Sequence, residues 1–272
     1  MGRGIQRTMY QLSSNALLKD GVHLNDHGNF VMSALVEHWL VQNATGDDHA
    51  WTNLVRTFQL GKELHPAGEV LRFEFFGNRI DAISSPLLNR SEPLEVWIDG
   101  RKPSSIPSLR SVNRVSAFPN SNWPCLLKVD AEAPRELEEW TVTLTDVSDD
   151  LKNVKFTIKG STTGDDGAGS STERFVSKSK RVVIEPGDWN LEYCHRVFKK
   201  TVPVGFTFNW NVVPNYKDEF QPSTPVDSTL ENCIVLAQGL TNAKHVVELR
   251  GKSFENLSAL RIYRPPLASK PD

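Results

Sequence analysis

The chain has 272 residues, of which 39% are hydrophobic and 24% charged, enough for one large domain or two ordinary ones with a real core. A formal net charge of −2 argues against a nucleic-acid binder, which would need a domain-wide basic surface. No apolar run approaches the ~20 residues that cross a bilayer. The three cysteines, Cys125, Cys194 and Cys233, form no CxxC pair, so no structural zinc site is expected, and their odd count leaves at least one thiol unpaired within the chain.

Taken in chain order, the first stretch with chemistry in it is "LLKDGVHLNDHGNF", residues 17–30. Asp20 and His23 stand three apart, a spacing that suits a carboxylate orienting an imidazole as general base. The bland alternative is a polar loop that caps a helix. Helical spacing follows over 26–42, with Phe30, Val31, Ala34, Leu35, His38 and Trp39 on one stripe and Asn25 or Asp26 as N-cap. The polar, acidic run "NATGDDHAWTN" then reads as a linker, placed at 46–54.

Beyond the linker the hydrophobic period changes from helical to two. "VLRFEFFGNRIDAI" holds two β-rich runs around Gly77-Asn78, and "LEVWIDG" alternates and ends in Asp-Gly. Further strands are expected at 140–145, 154–158, 181–184, 205–212, 233–237, 244–249 and 260–263. Turn signals separate them at "TNAK", at "EPGD" and in the Gly-, Ser- and Asp-rich run 161–173. Many short strands without βαβ alternation point to a mainly β architecture, a sandwich or jelly roll.

The string "DGVHLNDHGN" with its following helix resembles the last conserved block of the SGNH (GDSL-type) hydrolases, with Asp20, Gly21, His23, Leu24, Asn25 and Gly28 all fitting. The resemblance implies His23 as general base, Asp20 as its orienting acid, and acyl-ester hydrolysis with no cofactor and no metal. It also implies that residues 1–45 are a short helical remnant of an α/β domain. The family's nucleophilic Ser belongs to a Gly-Asp-Ser block, and neither that block nor a G-x-S-x-G occurs in this chain. Ser13 and Ser14 lack flanking glycines, and "GSTTG" at 160–164 has Thr in the central position. The expectation is therefore the C-terminal part of a longer hydrolase, inactive alone.

The β region, 55–265, resembles in pattern the jelly-roll modules that accompany carbohydrate-active esterases. That pattern has a strand–Gly–strand opening, a "v-DG" hairpin in "LEVWIDG", and a closing "GL-x-x-x-x-H-x-v-x-L" pair in "AQGLTNAKHVVEL" and "ALRIYRPP". It leaves about 101–228 as an insertion or a second sandwich, and 266–272 as a tail. The partner implied is an acylated carbohydrate or another ester. Trp123, Trp189 and Trp210, in or beside Pro-, Gly- and Asn-bearing segments, are candidates for stacking on sugar rings, with core filling as the alternative. Trp97 could lie on either face of its strand. Asp165 and Asp166 in "GSTTGDDGAGSSTE" lack the alternate-position ligands of an EF-hand, and a mobile hairpin loop is expected there. His27, His38, His49, His65, His195 and His245 are scattered, without partners at metal-ligand spacing. The rival reading is a non-catalytic carbohydrate-binding or structural β-sandwich with a vestigial hydrolase motif.

Overall fold

Helical spacing gives way to two-residue alternation near Leu54, and the structure divides there into two units, Met1–Asn53 and Leu54–Asp272. The computed structural model describes residues 17–19, 23–43, 54–85, 92–222 and 231–265, with the backbone alone at 38–43. Ser13, Ser14, Asp20 and His49 lie outside the described residues.

The described part of the first unit is a backbone bridge followed by a helix. Leu18 and Leu24 form an antiparallel bridge, Lys19 N donates to His23 O at 2.8 Å, and Asn25 N donates to Leu17 O at 3.0 Å. Helix α1 (Asp26–Asn43) starts where the Asn25 Oδ1 accepts from Gly28 N at 2.8 Å. Of the two expected caps it is therefore Asn25 that satisfies an open amide of the first turn, a bond worth about 1 kcal/mol. Gly28 is buried, and a Cβ there would sit 2.0 Å from Leu17 O, so the close packing of helix start on turn requires a residue without a side chain.

The second unit is mainly β, and its described strands all pair antiparallel. In chain order its first strands are β1 (Val55–Gln59), β2 (Val70–Ser84), β3 (Leu94–Ile98), β4 (Arg110–Val112), β5 (Glu139–Val147), β6 (Val154–Gly160) and β7 (Gly164–Ser170). Then come β8 (Phe175–Val176), β9 (Val183–Ile184), helix α2 (Leu191–Phe198), β10 (Thr207–Pro214), β11 (Glu219–Phe220), β12 (Cys233–Arg250) and β13 (Leu257–Tyr263). They form a curled six-stranded sheet, β1-β13-β2-β12-β3-β11, a five-stranded sheet, β4-β10-β5-β6-β7, and the small pair β8-β9.

Each large sheet has its own core. Leu71, Ile80, Ala82, Val96, Ile98, Val247, Leu249 and Leu260 bury one face of the six-stranded sheet together with Leu64, Ile106 and Leu109. Trp140, Val142, Leu144, Phe156, Ile158, Phe208 and Trp210 bury a face of the five-stranded sheet with Phe118, Leu126, Val182 and Leu191. The second core lies wholly between β3 and β11 in sequence, and the chain leaves and re-enters the first at one place: Asn215 N donates to Leu109 O at 2.8 Å.

Four local expectations are corrected. Gly77-Asn78 does not separate two strands: β2 runs through it, with Gly77 so close to β13 that a Cβ would meet Tyr263 O at 2.3 Å. "TNAK" is not a turn between strands, because β12 absorbs it in a bulge between Gln238 and Ala243. The expected mobile loop at 161–173 is mostly the ordered strand β7, pinned at Asp166, whose buried carboxylate accepts from Ser179 N at 2.8 Å and Ser179 Oγ at 2.6 Å. Residues 191–198, given no element by the alternation, are helix α2. Among the described residues no helix is long and apolar enough to cross a membrane.

Candidate functional site

His23 stands at the mouth of the turn closed by the Lys19–His23 backbone bond, and its side chain is exposed. The Leu18–Leu24 bridge, the Asn25 cap and the Gly28 contact hold the chain that follows it, and the residue reaches solvent. Its expected acid, Asp20, belongs to the residues outside the description. His27, in the first turn of α1, is also exposed.

The "GSTTG" segment forms the β6–β7 turn and makes no nucleophile elbow. Thr162 N and Thr163 N donate to one oxygen of Glu138 at 3.1 and 2.9 Å, and Thr163 Oγ1 donates to the other at 2.7 Å. A carboxylate already fills the position that an oxyanion would take, so these amides are not available to stabilise developing negative charge.

The three tryptophans proposed for sugar stacking have different surroundings. Trp210 is 1% exposed inside the second core and presents no ring face to solvent. Trp189 is half-buried against the same core, its ring 4.9 Å from Phe156 and 6.2 Å from Phe208. Trp123, also half-buried, stacks on Tyr193 of α2 at 5.0 Å and 8°, and the Arg196 guanidinium covers Tyr193 at 4.8 Å. Trp97 lies on the outer face of β3, with the Arg250 guanidinium 4.3 Å and the Lys102 ammonium 4.9 Å from its ring.

Two polar clusters went unnoticed in the sequence. In the first, His245 Nδ1 bonds Asp99 Oδ2 at 2.7 Å while Asp99 Oδ1 accepts from Val246 N at 2.8 Å. Asp99 occupies the tip after β3 with φ 51°, a conformation that Asp tolerates better than most residues. The "v-DG" and "GL-x-x-x-x-H" patterns are thus in direct contact. In the second, Arg79 grips the fully buried Asp81 with two bonds, Nε to Oδ1 at 2.8 Å and Nη2 to Oδ2 at 2.7 Å. Cys233 Sγ donates to Asp81 Oδ2 at 3.3 Å, and Tyr263 lies beneath the Arg79 guanidinium at 4.5 Å. No group of three or more His, Cys, Asp or Glu able to hold a metal occurs among the described residues.

No protein family model, curated protein or solved structure matches this chain.

All three cysteines are free. Burial pushes the Cys125 thiol up to about 12, and burial with the Asp81 charge beside it pushes Cys233 up to about 11. The raised value means the folded state holds this proton: the resulting stability is present below the unfolded thiol value of about 8.5 and is lost as pH rises through the folded one. At pH 8, iodoacetamide should therefore alkylate Cys233 in the folded chain roughly a hundredfold more slowly than in denaturant, because the thiolate is the nucleophile. Asp81→Asn should speed the folded reaction. Labelling at the denatured rate in the native chain would contradict the assignment.

Proposed function

We propose that residues 17–43 are the closing Asp–His block and helix of an SGNH-type acyl hydrolase, and that the β region is a jelly-roll companion recognising the acylated glycan. The observation that carries this reading is the bareness of α1. Phe30 is 70%, Met32 50% and Val36 49% exposed. An isolated helix gains little from propensity alone, and covering side chains of this size is worth roughly 1.5–3 kcal/mol each. A helix carrying such a surface beside an acid–base block fits the edge of an α/β sheet that this chain does not encode. Contact between the "v-DG" aspartate and the closing-pattern histidine supports the jelly-roll half of the proposal.

On this reading His23 removes the proton from a serine supplied by the missing blocks, with Asp20 holding the imidazole tautomer and balancing the imidazolium. Alone, a base has neither nucleophile nor oxyanion donors to work with. The test is p-nitrophenyl acetate turnover by this chain and by the chain joined to the sequence encoded upstream of it. Turnover by the joined form only, abolished by His23→Ala, is the expected result. Turnover by this chain that survives His23→Ala, or none by the joined form, would refute it.

A further inference from the structure

The second core carries a cleft of about 330 Å³ whose lining includes Ser111, Asn113, Arg114, Leu127, Lys128 and Arg135. It adjoins β4, the outermost strand of the five-stranded sheet. Asn113 N donates inward to Asn211 O at 2.9 Å, so the antiparallel alternation turns the peptide groups of Val112 away from β10, with no backbone partner among the described residues. Apolar side chains of the core line the same cleft, and Leu127 at its rim is 62% exposed.

The charge of this cleft is one-sided. Three cations line it and no carboxylate does. Lys128 is partly neutralised by Asp130. Arg135 Nη2 donates to the Val129 carbonyl at 3.3 Å and Arg114 Nη2 donates to the Asn122 carbonyl, and neither enters an ion pair among the described residues. Elsewhere on the same unit Arg110, Arg174, Arg181 and Arg196 each lie within 4.0 Å of a glutamate. Of the six arginines between residues 110 and 214, the two that enter no ion pair among the described residues are those at the cleft, while Arg56, Arg101 and Arg264, elsewhere on the unit, also enter none.

We infer that this cleft binds a carboxylate-bearing saccharide one or two rings long, an assignment that rests on the glycan-recognition reading above. Guanidinium forks match a carboxylate in shape and charge. The hydroxyl of Ser111, the amide of Asn113 and the open edge of β4 suit sugar hydroxyls, and Leu127 with the apolar lining suits a ring face. The volume lies at the small end of ligand sites, which run from roughly 300 to 1,000 Å³. A bare inorganic anion would leave the apolar lining unused. A peptide strand would find only the three residues of β4 to pair with.

The experiment is calorimetric titration of the whole chain with digalacturonate, galactobiose, an acetylated xylo-oligosaccharide, sodium acetate, phosphate and an oligoglutamate peptide. Digalacturonate should bind, more weakly in high salt, and Arg135→Gln and Arg114→Gln should each weaken it about tenfold, the effect of one lost charge-assisted contact. Arg114 is exposed, so its variant should unfold at the parent temperature and serves as the folding control. Galactobiose or the neutral xylo-oligosaccharide binding while digalacturonate does not would overturn this inference and leave the glycan reading standing. Binding by none of the saccharides would overturn both. Equal binding of acetate or phosphate, preference for the peptide, or indifference to both variants would each overturn the saccharide assignment alone.

Discussion

Arg79→Met should destabilise the six-stranded sheet by about 3–5 kcal/mol, because it strands a buried carboxylate without its counter-charge. Asp81 is 0% exposed, and its two oxygens are held by Arg79 at 2.8 and 2.7 Å. With the guanidinium gone, Asp81 keeps only neutral neighbours, the weakly donating Cys233 thiol and Tyr263. The reverse change, Asp81→Ala, should cost less. The Arg79 side chain is 30% exposed, so an orphaned guanidinium can turn toward water while keeping its place over Tyr263. The asymmetry is measurable by urea denaturation followed by far-UV circular dichroism. An Arg79→Met variant within 1 kcal/mol of the parent, or an Asp81→Ala variant that is the worse of the two, would be incompatible with this account.

Trp210→Ala should cost the second core a similar amount, about 3–5 kcal/mol. The ring is 1% exposed and lies directly opposite Trp140 in the β10–β5 register, so truncation leaves a large void between the strands that hold the sheet together. Trp210→Phe should behave differently. The indole Nε1 is buried without a hydrogen-bond partner, an arrangement that costs roughly 1–3 kcal/mol, and phenylalanine removes that liability while filling most of the space. The phenylalanine variant should therefore recover most of the loss. Tryptophan fluorescence suits this measurement, since Trp123, Trp140 and Trp189 all belong to or pack against the same core. Equal losses in the two variants would show that the indole nitrogen is satisfied in solution.

The class of the fold was legible because alternation is a strong signal where one face of a strand is buried. β6 reads buried–exposed without a break from Val154 to Gly160, and β5 and β10 keep most of the same pattern. The signal failed where the backbone breaks its own rhythm. β2 keeps pairing through Gly77-Asn78 while Phe75 and Ile80, an odd number of positions apart, both enter the first core, so the strand looked like two. Strand β7, "GDDGAGS", has no apolar side chain larger than alanine, and its place depends on Phe175 and Phe156 packing against its glycines. Helix α2 has eight residues, too few for its period to stand out, though Leu191 and Cys194 do mark its buried side. At the candidate site, chain spacing suggested Asp20 and His23 because they are near neighbours in sequence. Asp99 with His245, Arg79 with Cys233 by way of Asp81, and Arg114 with Arg135 are brought together by sheet register and loop packing, which residue spacing does not display.

The single hydrogen bond between Asn215 and Leu109 has an architectural consequence. To the six-stranded sheet, everything from 110 to 214 is equivalent to a tight turn, since its two ends emerge side by side however much chain lies between them. Such a junction lets the inner body be exchanged, enlarged or excised for a few linking residues while the outer one keeps its register. The pair of bodies is therefore a natural graft point, where a new recognition surface could be installed without redesigning the frame that carries it.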